Sequence, residues 1–252
     1  MNGSRTGVSL PNRRGRRGRD ILIGALALLL FACGAFMCLC PLWSYSCGVA
    51  ETAAAREGYA AAVGAVSAPE AAELWAEAEG VNARLYNADT LCTLPEDVMR
   101  DYQAAINPAG DGMIGTVEIP SIEVSLPFYH TMTQKVLSRG AGHLEWTSLP
   151  TGEPTTHTVI GAHNGYRGQA LFQRLPEVSV GETFSLRVLD RQFIYAVDRA
   201  GVVDSHDIAT LFPVPGACLC TLMTCGEDDS QRFLVRGQLC AVEPLEGGEP
   251  LF

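Results

Sequence analysis

Thr221-Leu222-Met223-Thr224-Cys225 is an apolar run with two β-branched threonines that ends in a cysteine. The acidic, polar stretch Gly226-Glu227-Asp228-Asp229-Ser230 follows at once. The pattern predicts a β-strand that runs out into an exposed loop, with Cys225 at the junction where a thiol is reachable. Taken alone, the run also fits a buried structural cysteine, because cysteine is so often buried.

Two other stretches bear on that choice. Thr158-Val159-Ile160-Gly161-Ala162-His163-Asn164-Gly165 feeds a β run into small residues, then an imidazole, then Asn-Gly. It predicts His163 at a strand end on an exposed turn, 62 residues before the cysteine. Arg232 opens Arg232-Phe233-Leu234-Val235-Arg236, where alternation puts Arg232, Leu234 and Arg236 on one face. A six-residue loop between Cys225 and Arg232 predicts adjacent antiparallel strands that return the guanidinium to the thiol. Arg236 competes for that role but lies further along the strand. Thiol, imidazole and guanidinium together can attack a carbonyl, move a proton and hold an oxyanion. The remaining histidines are less well placed. His157 begins a strand, His130 and His143 are expected in loops, and His206 in an acidic connection. For each of these the ordinary expectation is a satisfied surface histidine.

The chain has 252 residues, enough for one substantial domain with appendages. Its net charge of −10 is unevenly spread. Residues 1–20 hold six arginines and one acid, so the remainder carries −15. An acidic body argues against nucleic acid as a partner. The basic arm precedes Ile21 to Cys40, 20 residues without a charge, long enough as a helix to cross a bilayer. Trp43 and Tyr45 follow at the expected interface, and the arginines predict a cytoplasmic N-terminus with the body outside. A cleaved signal peptide with Gly48-Val49-Ala50 as its small-residue site is the rival reading, against which the length of the apolar run argues. Residues 243–252 are polar and rich in Pro and Gly, so no second span is expected there.

Four of the nine cysteines lie in or beside the apolar segment. The other five leave at least one thiol free unless it pairs between molecules. Cys218-x-Cys220 lacks the companions of a metal site and reads as core. No metal or organic cofactor is indicated.

Beyond the apolar segment, Glu51 to Tyr86 is rich in helix formers, and Ser67-Ala68-Pro69-Glu70 reads as a capping box that divides it into two helices. Leu74, Trp75, Ala78, Val81 and Leu85 form a packing stripe. After the turn cluster at Asn107 to Gly112, seven β-rich runs appear: Ile114–Ile119, Ile122–Phe128, Thr156–Ala162, Thr183–Val188, Gln192–Val203, Cys218–Cys225 and Arg232–Val242. Short helical insertions fit Thr133–Ser138 and Gln169–Leu175. The whole reads as a closed or sandwich-like β domain.

These residues resemble the sortases, membrane-anchored cysteine transpeptidases of the Gram-positive envelope. The catalytic run of that family, Thr/Leu-x-Thr-Cys, is met by Leu222-Met223-Thr224-Cys225. Gly112 to Ile122 looks like the opening strand pair of the sortase barrel. Leu126 to His130, Gly142 to Pro150, Phe212 to Gly216 and Phe233 to Gly237 are similar to segments of class C, the pilin polymerases. The resemblance covers roughly Tyr102 to Leu239, plus the anchor. It implies a mainly β fold, an eight-stranded barrel with short helices preceded by the transmembrane helix and a helical segment. It assigns His163, Cys225 and Arg232 as catalytic; Thr224 and Asn164, each next in sequence to one of these, are expected at the substrate site. It implies substrates with a C-terminal Leu-Pro-x-Thr-Gly-like signal, and a pilin lysine or a cell-wall peptide amine as acceptor.

The expected organisation is a basic arm at 1–20, an anchor at 21–43, a helical segment with a possible lid at 44–106, the catalytic barrel at 107–242 and a tail at 243–252. Two departures from class C stand out. Asn164 occupies the position after the histidine where class C usually has Arg, a feature more like class B. No Asp-Pro-aromatic lid motif occurs between Tyr86 and Tyr102, where Asp89 and Leu94-Pro95 are the nearest remnants. Leu149-Pro150-Thr151-Gly152 mimics a sorting signal but lacks the residue between Pro and Thr, so it reads as a loop. A non-catalytic envelope-binding barrel with a buried Cys225 is the reading from another class, and exposure of the thiol discriminates it.

Overall fold

The computed structural model describes residues 13–86, 93–166, 169–225 and 230–245. The chain divides into two units, Met1–Ser44 and Tyr45–Phe252. The first is carried by helix α1 (Arg13–Ala65), whose segment Ile23–Cys40 has a mean hydropathy of 2.5 and no buried residue. That surface and length make it a candidate membrane span.

In the second unit, α1 ends at Ala65 and α2 runs over Ala68–Tyr86. The break is the expected capping box: Glu70 N donates to Ser67 Oγ and Ser67 N to the Glu70 carboxylate. The predicted stripe on α2 faces inward, with Trp75, Ala78 and Val81 buried. Trp75 is fixed further by its indole N–H on Asp190 Oδ1 at 2.9 Å and by the Arg191 guanidinium over its ring. Tyr59 on α1 reaches the barrel as well, donating to the Ile114 carbonyl and accepting from Leu189 N. Its hydroxyl is buried, and burial raises its pKa.

The barrel is closed and has eight strands in the order β1-β2-β3-β4-β9-β10-β8-β7. These are β1 (Met113–Ile119), β2 (Val124–His130), β3 (Ala141–His143), β4 (Thr156–Gly161), β7 (Thr183–Val188), β8 (Arg191–Asp204), β9 (Cys218–Cys225) and β10 (Gln231–Pro244). Closure removes exposed sheet edges and is completed by antiparallel pairing of β1 with β7. Two neighbours are parallel, β2 with β3 and β4 with β9. Ile114, Val117, Phe128, Ile160, Phe184, Tyr195, Leu222 and Val235 fill the interior.

Helix α3 (Glu96–Ala104) packs on the barrel through Tyr102, which is fully buried, and α4 (Gln134–Leu137) falls within the expected insertion. The expected helix over Gln169–Leu175 is not formed. Asn164–Tyr166 (β5) and Gln169–Leu171 (β6) make a hairpin instead, followed by a 3-10 turn over Leu175–Glu177. Leu171 takes a positive φ of 43° and Pro176 blocks further helix, while Phe172 and Leu175 are drawn into the core. Strand β3 was not anticipated. It is three residues long, and a Cβ on Gly142 would lie 2.3 Å from the Thr131 carbonyl, so only glycine lets the strands approach.

The histidine expectations need correction. His130 ends β2, His143 lies in β3 and His157 in β4, and all three are buried. His143 Nε2 faces the Ser148 carbonyl at 2.9 Å, which can only accept, so Nε2 carries the proton. Its Nδ1 then accepts from the Tyr102 hydroxyl at 2.9 Å, which in turn accepts from Thr131 N at 3.1 Å. Burial pushes the His143 pKa down to about 3 and that of His130 to about 4. His206 alone is at the surface as expected. The Leu149–Gly152 segment is indeed a loop, pinned to α2 by Asn82, which bonds Leu149 N and its carbonyl.

Candidate active site

Side-chain alternation on β9 sorts its residues between two environments. Cys220 and Leu222 point into the core, while Thr221, Met223 and Cys225 face outward. Cys225 is exposed, as a nucleophile must be. That exposure counts against the reading of Cys225 as a buried structural thiol.

Register brings the other two candidates to the same end of the barrel. Arg232 on β10 is the direct antiparallel partner of Cys225, so both side chains leave the same face. Arg236 is set apart by the same ladder: it pairs with Thr221 and grips Asp198 with bonds of 3.0 and 2.8 Å. On the other side, β4 runs parallel to β9 with Gly161 opposite Met223, and Ala162 N donates to the Met223 carbonyl at 3.1 Å. The chain turns there, and His163 comes next. Three sequence-distant residues thus come to one end of the barrel because β9 is central, with β4 and β10 as its neighbours.

Two contacts stitch the histidine segment to the nucleophile strand. Thr224 Oγ1 donates to the Ala162 carbonyl at 3.0 Å, and Asn164 Nδ2 faces the Cys225 carbonyl at 3.5 Å. Thr224 is 2 % exposed. Its hydroxyl is spent on the backbone that precedes His163, because alternation turns it away from the face that carries Cys225. Asn164 is exposed beside the nucleophile.

Outside the barrel, next to the site, lies a second apolar cluster of Val159, Leu211 and Leu234, with Leu144, Trp146, Val203 and Met223 packed on it. It forms under the connection between β8 and β9, whose 3-10 turn spans Ile208–Leu211. His157 secures that connection: its Nδ1–H donates to the Phe212 carbonyl at 3.1 Å and its Nε2 accepts from Thr221 Oγ1 at 2.7 Å. Sequence reasoning missed His157, Tyr102 and Asn82 as organisers, since the partners their side chains hold lie 29 or more residues away. Cys220 is buried in the core, and Cys218 accepts from Thr156 Oγ1 at 3.3 Å. Asp89, Cys92, most of the loop after Cys225 and the tail beyond Leu245 lie outside the described residues. Leu94 and Pro95 lead into α3.

An exposed thiol with a guanidinium opposite it and an imidazole one strand away is the equipment of a thiol acyltransferase. Comparison with known proteins gives the same class. The family model of the sortase domain matches residues 117–240. The structure is similar to that of sortase C1 from Streptococcus agalactiae, with a TM-score of 0.71 and 28% identity, covering 74% of this chain and 98% of that one. It is also similar to sortase C from Clostridium perfringens with a C-terminal cell wall sorting motif, with a TM-score of 0.64, 29% identity, and 75% and 98% of the two chains covered. A curated relative, Sortase A of Streptococcus agalactiae serotype III (strain NEM316), is 24% identical over 132 residues, covering 50% of this chain and 53% of its own length. The chain belongs to the sortase family, whose members are cysteine transpeptidases.

Proposed function

We propose that the protein is a membrane-anchored transpeptidase that cleaves Leu-Pro-x-Thr-Gly-like sorting signals between Thr and Gly and transfers the acyl group to an amine. The observation that carries this reading is the convergence of Cys225, Arg232 and His163 at one end of β9, β10 and β4. In the first half-reaction the Cys225 thiolate attacks the threonine carbonyl carbon, and Arg232 stabilises the negative oxygen that forms. The C–N bond breaks as His163 gives a proton to the departing glycine amine, leaving a thioester on Cys225. In the second, an incoming amine attacks the thioester, the C–S bond breaks with the Cys225 thiolate leaving, and His163 takes the amine proton.

The similarity to class C structures favours a pilin lysine as acceptor, and so pilus assembly. A peptidoglycan peptide amine is the second reading, favoured by the likeness to proteins named Sortase A. The arginine-rich arm before the apolar helix favours a cytoplasmic N-terminus and an extracellular barrel.

The test is mass spectrometry of the full-length protein after incubation with Leu-Pro-x-Thr-Gly peptides in which x is varied. A thioester adduct on Cys225 that is absent from Cys225→Ala supports the reading. Covalent trapping at an undiminished level by Cys225→Ala would overturn it. A pilin-derived lysine peptide set against a cell-wall peptide then separates the two acceptors.

A further inference from the structure

A general acid needs its ring held in one orientation, and the usual device is a hydrogen bond to the far nitrogen from a carboxylate or carbonyl. His163 has no such support among the described residues. Its Nε2 is buried and has no hydrogen-bond partner. What touches the ring instead is Tyr166. The two rings stack with centroids 5.0 Å apart and planes 20° from parallel.

The local sequence builds this contact. His163-Asn164-Gly165-Tyr166 reverses at Gly165, whose φ of 77° favours glycine, so the tyrosine folds back over the imidazole three residues earlier. The reversal is held at both ends: Asn164 pairs with Leu171 and Tyr166 with Gln169 across the β5–β6 hairpin, and Phe172 N donates to the His163 carbonyl at 3.1 Å. Phe172 itself is fully buried, which ties the hairpin to the core. The backbone of His163 is thus fixed by Phe172, and the remaining freedom is rotation of its side chain. A flat aromatic surface parallel to the ring restricts that rotation without using a nitrogen.

We propose that Tyr166 is the positioning residue of His163, taking through ring stacking the role that a hydrogen-bonded acceptor has in other thiol enzymes. The assignment rests on His163 being the proton-transfer residue. Stacking engages neither imidazole nitrogen, so the one that faces the substrate can protonate the departing amine and later accept a proton from the incoming amine. It also covers one side of the ring from water.

The experiment measures single-turnover acylation of the full-length protein in detergent micelles, using the Leu-Pro-x-Thr-Gly peptide that acylates it fastest. Tyr166→Leu should slow acylation roughly three- to tenfold at saturating peptide, the loss expected for one aromatic pair, with little change in KM. Tyr166→Phe should stay within about twofold of the parent, because the ring and not the hydroxyl does the positioning. Iodoacetamide alkylation of Cys225 at about pH 9.5, above the ordinary thiol range, should be unchanged in both variants, since it needs an accessible thiol but no proton donor. The proposal is overturned if Tyr166→Leu acylates at the parental rate, if Tyr166→Phe falls as far as Tyr166→Leu, or if alkylation slows in step with acylation. His163→Ala separates the two levels. Full acylation by that variant removes the catalytic reading itself. Its inactivity beside an unimpaired Tyr166→Leu removes only the stacking role.

Discussion

The buried histidines make stability steeply dependent on acid, and the size of the effect can be worked from their environments. An unfolded histidine takes up a proton near pH 6.5. In the folded protein burial pushes His143 down to about 3 and His130 to about 4, so both stay neutral far below that point. Between the two limits the unfolded state binds more protons, and stability falls as pH falls. The contribution is fully present above about pH 6.5 and is lost progressively toward about pH 3–4. Going from about pH 7 to about pH 5 costs ~1.8 kcal/mol for each histidine, or ~3.6 kcal/mol for the pair. His157, also depressed by burial, adds to the loss with the same sign. Ordinary carboxylates titrate mostly below this window and contribute little within it. Urea unfolding followed by tryptophan fluorescence is the assay. With a slope of about 2–3 kcal/mol per molar urea, the midpoint should drop by about 1–2 M between the two pH values. A midpoint that moves by less than about 0.3 M would refute the reasoning, because it would mean that the folded imidazoles titrate with the unfolded ones.

Three further expectations concern single side chains. Tyr102→Phe leaves His143 Nδ1 and Thr131 N buried without their shared partner; a loss of roughly 2–4 kcal/mol should appear as a thermal midpoint lower by roughly 5–15 °C in a melt followed by circular dichroism. Thr224→Val keeps the shape but removes the bond to the Ala162 carbonyl. Acylation should fall about tenfold, and Thr224→Ser should restore it; equal rates for Val and Ser would show that the bond does not set the position of His163. Arg232→Lys keeps the charge and loses the planar fork, so steady-state transpeptidation should drop by about 10²–10³, with iodoacetamide alkylation of Cys225 still proceeding.

The sequence made much of the site readable because the chemistry is marked locally. Cys225 ends a β-branched run, His163 sits between small residues and Asn-Gly, and Arg232 opens an alternating strand. Each signal lies within a few residues. The capping box at Ser67–Glu70 and the apolar stripe on α2 were readable for the same reason, since propensity and periodicity are short-range properties.

The rest depended on contacts between distant segments. β3 is too short and too glycine-rich to carry a pattern, and it exists only because β2 and β4 pair with it. His130, His143 and His157 looked like loop or surface residues, because a histidine's own neighbours do not reveal what closes over it. The buried position of Thr224 follows from alternation on a strand whose exposed face was set by barrel closure. By itself the sequence determined which residues could react and which strands would carry them. Tertiary structure decided that β9 lies between β4 and β10, which brought three separate side chains to one end of the barrel, and that a tyrosine lies across the histidine. Strand order in a barrel is a long-range property, fixed by the burial of whole faces and not by any local run of residues.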